Sequence, residues 1–252
     1  MPIFGRGLLL VVPTLCGLAC TLPPLRGEME IGRDAYAVFV GEGSGGTDLY
    51  AVRPGGGVTI ALTFSPVAES APALSPDGAS LAFVRTAVNA PATAWVMNLL
   101  SGAEREVALP REANAVPRRV GWAPDGAALY VDTDRGVWRA AIPPRGEAAG
   151  LVSGTELAIA DSSLSVLVGK PAFATVEPCE GVVRGLCVRS NGQESVVAAG
   201  AESGARWGDD SIAYVREGVL EVRPAGPGRP RRVEFTPARA VTGGLTYFGG
   251  SR

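Results

Sequence analysis

A chain of 252 residues that is 46% hydrophobic can bury a sizeable core, and its formal net charge of −2 supplies none of the basic surface that nucleic-acid binding needs. It contains no histidine, which removes the commonest general base, the commonest zinc ligand and the middle member of a Ser-His-Asp triad. Its 34 glycines and 20 prolines, with no long stretch of helical period, point to an all-β protein of many short strands.

The chain begins MPIFGRGLLLVVPTLCGLACTLPP, which reads as an export signal: Arg6 is the positive flank, and residues 8–19 form an apolar run interrupted by Pro13. That run is short of the ~20 apolar residues a membrane-spanning helix needs. It ends in Gly17-Leu18-Ala19-Cys20, which resembles a bacterial lipoprotein signal, where a small residue precedes a cysteine that takes the lipid. Gly17 stands where that pattern usually has leucine. The resemblance makes Cys20 the expected lipidation site, with plain cleavage or retention as a short membrane anchor as the alternatives. Residues 1–20 are then signal or anchor, 21–33 a linker and 34–252 the folded domain.

RDAYAVFVG (33–41) is the first apolar strand. The glycines that follow, Gly41-Glu42-Gly43-Ser44-Gly45-Gly46, spell a literal G-x-G-x-x-G. Dinucleotide binding requires a helix N-terminus after such glycines, and here Thr47-Asp48-Leu49-Tyr50 reads as a strand. The segment is therefore read as a loop, and no cofactor is expected. DLYAVRPGGGVTIAL (48–62) continues as strand, glycine-rich turn, strand.

The next stretch, PALSPDGASLAFVRT (72–86), returns in similar form as VGWAPDGAALYVDT (120–133). Each has a short strand, the turn Pro76-Asp77-Gly78 or Pro124-Asp125-Gly126, and an apolar strand. Proline presets one backbone dihedral, aspartate bonds its own local backbone and glycine accepts a positive φ, so this triplet closes a hairpin in a fixed conformation. The strand after the turn, such as Ser80-Leu81-Ala82-Phe83-Val84, is mostly apolar rather than alternating, which is the pattern of a strand covered on both faces. AWVMNLLSGAEREVAL (94–109) and GVWRAAIPPRGEAAGLV (136–152) again read as strand, turn, strand. Between them, Asp132-Thr133-Asp134 places two carboxylates at i, i+2; Ca²⁺ ligation is one reading and turn chemistry the expected one, so no metal site is assigned.

LSVLVGKPAFATVEP (164–178) and GLCVRSNGQESVVA (185–198) repeat the plan more weakly. Cys179 and Cys187 lie between and within them. Export would place them in an oxidising compartment, and they could face each other across a hairpin, so a structural disulfide is expected. A redox-active pair, for which the C-x-x-C spacing is missing, and two free thiols are the alternatives. GARWGDDSIAYVREG (204–218) is a degenerate third copy in which Asp209-Asp210 replaces the turn, and GVLEVRPAGPGRPRRVEF (218–235) completes it. Arg229-Pro230-Arg231-Arg232 is a small basic patch, read as a solvated edge that discourages strand pairing, with an acidic partner or lipid headgroups as the other reading. Trp122 and Trp207 align on first strands of their units, where packing between units is expected over ligand stacking; Trp95 and Trp138 also recur at repeat positions.

Val38, Leu81, Leu129, Phe173 and Ile212 thus mark a period of 39 to 48 residues with four short strands in each unit, which is the signature of a β-propeller. At Ser75-Pro76-Asp77-Gly78, Ala123-Pro124-Asp125-Gly126, Leu49-Tyr50-Ala51-Val52 and Gly55-Gly56-Gly57 the chain resembles the TolB-type (WD40-like) β-propeller repeat, strongly in two units and weakly in three. Five blades are expected, with six or an incomplete ring as alternatives. The first unit lacks its inner strand, and PARAVTGGLTYFGG (237–250) is the candidate to supply it and so close the ring.

No residue set forms a catalytic constellation. The expected function is protein–protein interaction in a bacterial envelope. The chain would be held to the periplasmic side of a membrane by its N-terminal lipid or anchor, with an envelope protein or a membrane-complex subunit as partner. The alternative is a propeller enzyme or small-ligand or sugar binder using carboxylates of the central channel.

Overall fold

The computed structural model describes residues 25, 27–43, 45–109, 115–142, 152–156, 175–178, 185–190, 193–201, 203–207, 210–224 and 228–251. Every regular element among them is a β-strand. β1 (Tyr36–Glu42), β2 (Thr47–Val52), β3 (Gly57–Val58) and β4 (Ile60–Ala61) come first, with β1, β2 and β4 forming an antiparallel meander. β5 (Ala68–Leu74), β6 (Ser80–Thr86), β7 (Thr93–Asn98) and β8 (Glu104–Ala108) form a second meander. β9 (Pro117–Trp122), β10 (Ala128–Thr133), β11 (Gly136–Ala141) and β12 (Val152–Glu156) form a third, whose outer strand β12 pairs in parallel with β8.

β13 (Thr175–Pro178), β14 (Gly185–Ser190) and β15 (Gln193–Ala199) make three antiparallel strands of a fourth sheet. β16 (Ser203–Trp207), β17 (Ser211–Arg216), β18 (Val219–Pro224) and β19 (Arg231–Arg232) make the next. β20 (Phe235–Thr236) runs parallel to β3. The last strand, β21 (Val241–Phe248), returns to the start of the chain: it lies antiparallel to β1, with Tyr36 opposite Phe248 and Gly41 opposite Val241. The first sheet thereby reads β21-β1-β2-β4, with the C-terminal strand in the inner place that the first unit's own sequence leaves empty.

The apolar second strands explain how the sheets stack. In β6, Leu81 and Phe83 pack with Val38, Val40, Leu49 and Ala51 of the first sheet, while Ala82 and Val84 pack with Val120, Trp122, Leu129 and Val131 of the third. Successive side chains point to opposite faces of a strand, so a strand wedged between two neighbours needs apolar residues at every position. Complete burial of Phe83 alone is worth about 2–3 kcal/mol. The other face of the first sheet, through Ala37, Phe39, Tyr50 and Val52, packs on Trp207, Ala213, Val215 and Leu220. Tyr214 packs on Leu186 and Ala198. The first strands of the sheets are neighbours in space: β9 touches β5, β5 touches β21, β21 touches β16 and β16 touches β13. Sheets packed face to face with their first strands on the inside have the radial layout of a propeller.

Packing reaches further back along the chain than a domain beginning at 34. Leu25 is fully buried, Met29 nearly so, and both join Ile31 in the cluster between the first and second sheets. Leu25 and Met29 are one turn apart, with the Met29 N–H donating to the Leu25 carbonyl at 3.2 Å, so both side chains enter the same gap. Arg53 then fastens this segment, donating to the Glu28 carbonyl and pairing with Asp34 at 3.5 Å.

Candidate binding cleft between the first two sheets

The two Pro-Asp-Gly turns set the geometry on one end of the molecule. Gly78 has φ +64° and Gly126 φ +71°, the left-handed conformation that glycine tolerates best. The Gly78 N–H donates to the Ser75 carbonyl at 2.8 Å, and the Gly126 N–H to the Ala123 carbonyl at 2.9 Å. Asp77 and Asp125 accept the N–H of Ala79 at 3.0 Å and of Ala127 at 2.9 Å. Ser75 adds more: its hydroxyl donates to Asp77 at 2.6 Å and accepts the Ser80 N–H at 2.9 Å. Above this turn the Tyr36 hydroxyl donates to the Gly78 carbonyl, and burial, then the nearby Asp77 carboxylate, pushes the Tyr36 pKa well above the usual phenol range.

A cleft of about 990 Å³ runs between the outer part of the first sheet and the outer strands of the second. One wall carries Val58, Ile60 and Phe64, the other Arg85, Met97 and Glu104. Phe64 is 80% exposed and Val58 64% exposed. An ion-pair cluster closes its inner side. Arg85 donates to Glu69 Oε1 through Nε at 3.0 Å and through Nη2 at 2.7 Å, and to Glu104 Oε2 through Nη1 at 3.0 Å. The guanidinium lies over the rings of Trp95, at 4.6 Å, and Phe83, at 5.1 Å.

Glu69 is fully buried. Burial pushes its carboxyl pKa up, and hydrogen bonds from Thr63, Arg85 and Ser65 pull against that without reversing it. Burial also works against the charge on Arg85, but Glu104 and Glu69 together outweigh it and hold that guanidinium above its ordinary value. The loop over the cluster is tied to the first sheet: the Ser65 N–H donates to Asp48 at 3.3 Å, the Leu49 N–H to the Thr63 hydroxyl at 2.9 Å, and the Thr47 hydroxyl to the Glu69 carbonyl at 2.7 Å. Arg85 is engaged on both sides by carboxylates, so the cleft offers an apolar groove with a fixed polar floor.

Sequence reasoning did not single out Glu69, Arg85 or Glu104. The signal was there: counting outward from the Pro-Asp-Gly turn brings Glu69 within one residue of facing Arg85. A bulge between Ser70 and Ala73, with Ala71 at φ +49°, takes up the extra residue and sets the two opposite each other.

The remaining sequence features separate. The glycines at 41–46 close the β1–β2 hairpin, with the Gly43 N–H donating to the Gly46 carbonyl at 2.9 Å, and a strand follows them. Asp132 is held by Arg119 at 2.6 Å, and Asp134 accepts the Val116 N–H at 2.8 Å, so the two carboxylates serve a cross-strand pair and a loop rather than a common centre. Trp122 donates to the Ala73 carbonyl at 2.9 Å and packs between the second and third sheets. Trp207 stacks on Tyr247, centroids 5.0 Å apart. Arg231 and Arg232 are exposed on the outermost strand of their sheet. Cys187 is buried on β14. Cys20, Cys179, Lys170 and Asp209 lie outside the described residues.

No protein-family model matches the chain, and no curated protein does. Among solved structures it is similar to TolB from Acinetobacter baumannii, with 18% identity and a TM-score of 0.42 over 83% of this chain and 53% of that one. It is also similar to a provisionally named TolB from Agrobacterium tumefaciens, with 15% identity and a TM-score of 0.36 over 85% of this chain and 69% of that one. A third likeness is to puromycin hydrolase, with 16% identity and a TM-score of 0.30 over 79% of this chain and 35% of that one. The chain spans about half the length of the Acinetobacter TolB chain. At these identities and TM-scores the likeness extends to neither activity nor partner.

Proposed function

We propose that the chain is an exported five-bladed propeller, held to a bacterial membrane at Cys20 or by its N-terminal apolar segment. In this reading it binds another envelope protein, or a subunit of a membrane complex, through the cleft between the first two blades. The observation that carries the binding role is Phe64: a large aromatic ring 80% exposed on the wall of a groove floored by the Glu69–Arg85–Glu104 ion-pair cluster. Exposed aromatic anchors beside a preformed groove are the usual hot spots of protein recognition. Propellers suit this role because rigid sheets hold the recognition loops in place. Cys179 and Cys187 are proposed to staple the fourth blade, in keeping with an oxidising compartment.

Co-purification after mild crosslinking in the native host tests the binding role. One partner is expected to be recovered with the wild-type chain and at least tenfold less with Phe64→Ser, at unchanged melting temperature. Recovery of a lone monomer, or capture insensitive to Phe64, overturns it. Mass spectrometry of the mature N-terminus tests attachment: diacylglycerol on Cys20 or an intact apolar segment is expected, and a chain cleaved without lipid overturns it.

A further inference from the structure

We infer that the end of the molecule carrying the Pro-Asp-Gly turns lies against an anionic bilayer surface, while the Phe64 end of the cleft faces away from it. The inference rests on the reading that the N-terminal segment holds the chain to a membrane, and it adds an orientation which that reading does not contain.

The first observation is the length of the tether. Leu25 is fully buried between the first and second sheets, so only residues 21–24 separate Cys20 from the packed domain. Fully extended, the stretch from Cys20 to Leu25 spans at most about 18 Å. A domain of this size has a radius of gyration of roughly 17 Å. Such a tether cannot let the domain turn its far end to the membrane.

The second observation is where that tether attaches. In an antiparallel meander the first and third turns lie at one end and the second turn at the other. Residues 28–36 join the first end. Glu28 and Asp34 are both bound by Arg53, at the start of the β2–β3 turn. Tyr36 is bound to Gly78 in the Pro-Asp-Gly turn, and the Leu99 N–H beside the β7–β8 turn donates to the Ala79 carbonyl at 3.0 Å.

The third observation is charge. Arg231 donates to the Pro54 carbonyl at 3.3 Å, which puts the basic patch Arg229, Arg231 and Arg232 beside the turn that grips Glu28. All three arginines are exposed. Of the acids at this end, Glu30 is paired with Arg33 and Asp34 with Arg53; Asp77 and Asp125 accept the N–H groups of their own Pro-Asp-Gly turns, Asp210 accepts from the Ser211 hydroxyl, and Glu28 and Glu234 are the ones near the patch. A cluster of exposed arginines within a short tether's reach of a bilayer suits anionic headgroups. At the other end, Ser65 is fastened to Asp48 beside the β1–β2 loop, which places the adjacent Phe64 far from the tether.

Hydrogen exchange on the full-length chain tests this, comparing detergent with vesicles of phosphatidylcholine alone and of phosphatidylcholine with phosphatidylglycerol. Exchange at residues 53–57 and 229–232 is expected to slow at least threefold in the anionic vesicles, and exchange at 43–47 and 63–67 to stay within twofold of its detergent value. The double variant Arg229→Glu, Arg231→Glu is expected to float with the vesicles as before and to lose most of that protection. A chain that floats but shows no slowing at these turns, or slows instead at 63–67, overturns the orientation alone. A chain that floats with neither vesicle overturns the anchoring reading and the orientation with it.

Discussion

The second and third sheets are built from nearly the same phrase and end in different surroundings. Each has a Pro-Asp-Gly turn and an ion pair between its first two strands. In the second sheet both are sealed by the first sheet: a methyl on Gly78 would sit 2.6 Å from the Phe248 ring, and Glu69 is fully buried against Arg85. In the third sheet both are open: the nearest atom to such a methyl on Gly126 is 3.8 Å away, and Arg119 of the Arg119–Asp132 pair is largely exposed. Local sequence specifies the turn, strand register sets the pair, and the neighbouring sheet decides how much each is worth.

The largest expected effect comes from removing what completes that seal. β21 supplies both Phe248 and the inner strand of the first sheet, so deletion of 239–252 is expected to abolish the cooperative melt followed by near-ultraviolet circular dichroism. A truncated chain with the wild-type melting temperature would show that the first sheet stands without it. Glu69→Ala is next. It leaves a mostly buried guanidinium with Glu104 as its remaining carboxylate and is expected to cost about 3 kcal/mol in urea unfolding, against about 0–1 kcal/mol for Asp132→Ala. Equal costs would mean that burial does not distinguish the two pairs.

Gly78→Ala combines a left-handed backbone with overlap on Phe248 and is expected to cost about 3 kcal/mol or more; Gly126→Ala carries the backbone term alone, about 1–2 kcal/mol. Ser75→Ala converts the first turn into the hydrogen-bonding pattern of the second and is expected to cost about 1 kcal/mol. The sealed pair also carries a pH signature. Because burial raises the Glu69 pKa, the folded chain holds that proton more tightly than the unfolded chain does. The stability it contributes is therefore complete below the ordinary glutamate value and is lost as pH rises through the folded one. Urea midpoints measured upward from about pH 4 should carry this falling component. Glu69→Gln should remove it, and Asp132→Asn should leave it in place.

Several elements were legible because their cause is local. The Pro-Asp-Gly turns follow from three consecutive residues, and the apolar run Leu81–Val84 of β6 announces two covered faces before any neighbour is known. The inner place of β21 was legible by subtraction, from a first unit one strand short and a tail able to fill it. The burial of Leu25 and Met29 was not, since the polar residues of LRGEME (25–30) hide two apolar side chains that find their partners only in the gap between two sheets. The cluster Glu69–Arg85–Glu104 was hidden by a one-residue bulge, which changes register without leaving a mark in composition.

Sequence alone determined the β-character of the chain, the repeated hairpins and the covered second strands, because periodicity and turn chemistry act over a few neighbouring residues. Tertiary structure alone decided that one ion pair is sealed and its counterpart is wet, that Phe64 stands on a groove, and that Arg53 holds Glu28 and Asp34. Those outcomes depend on which sheet lands on which, and contacts between residues far apart in the chain have no local signature.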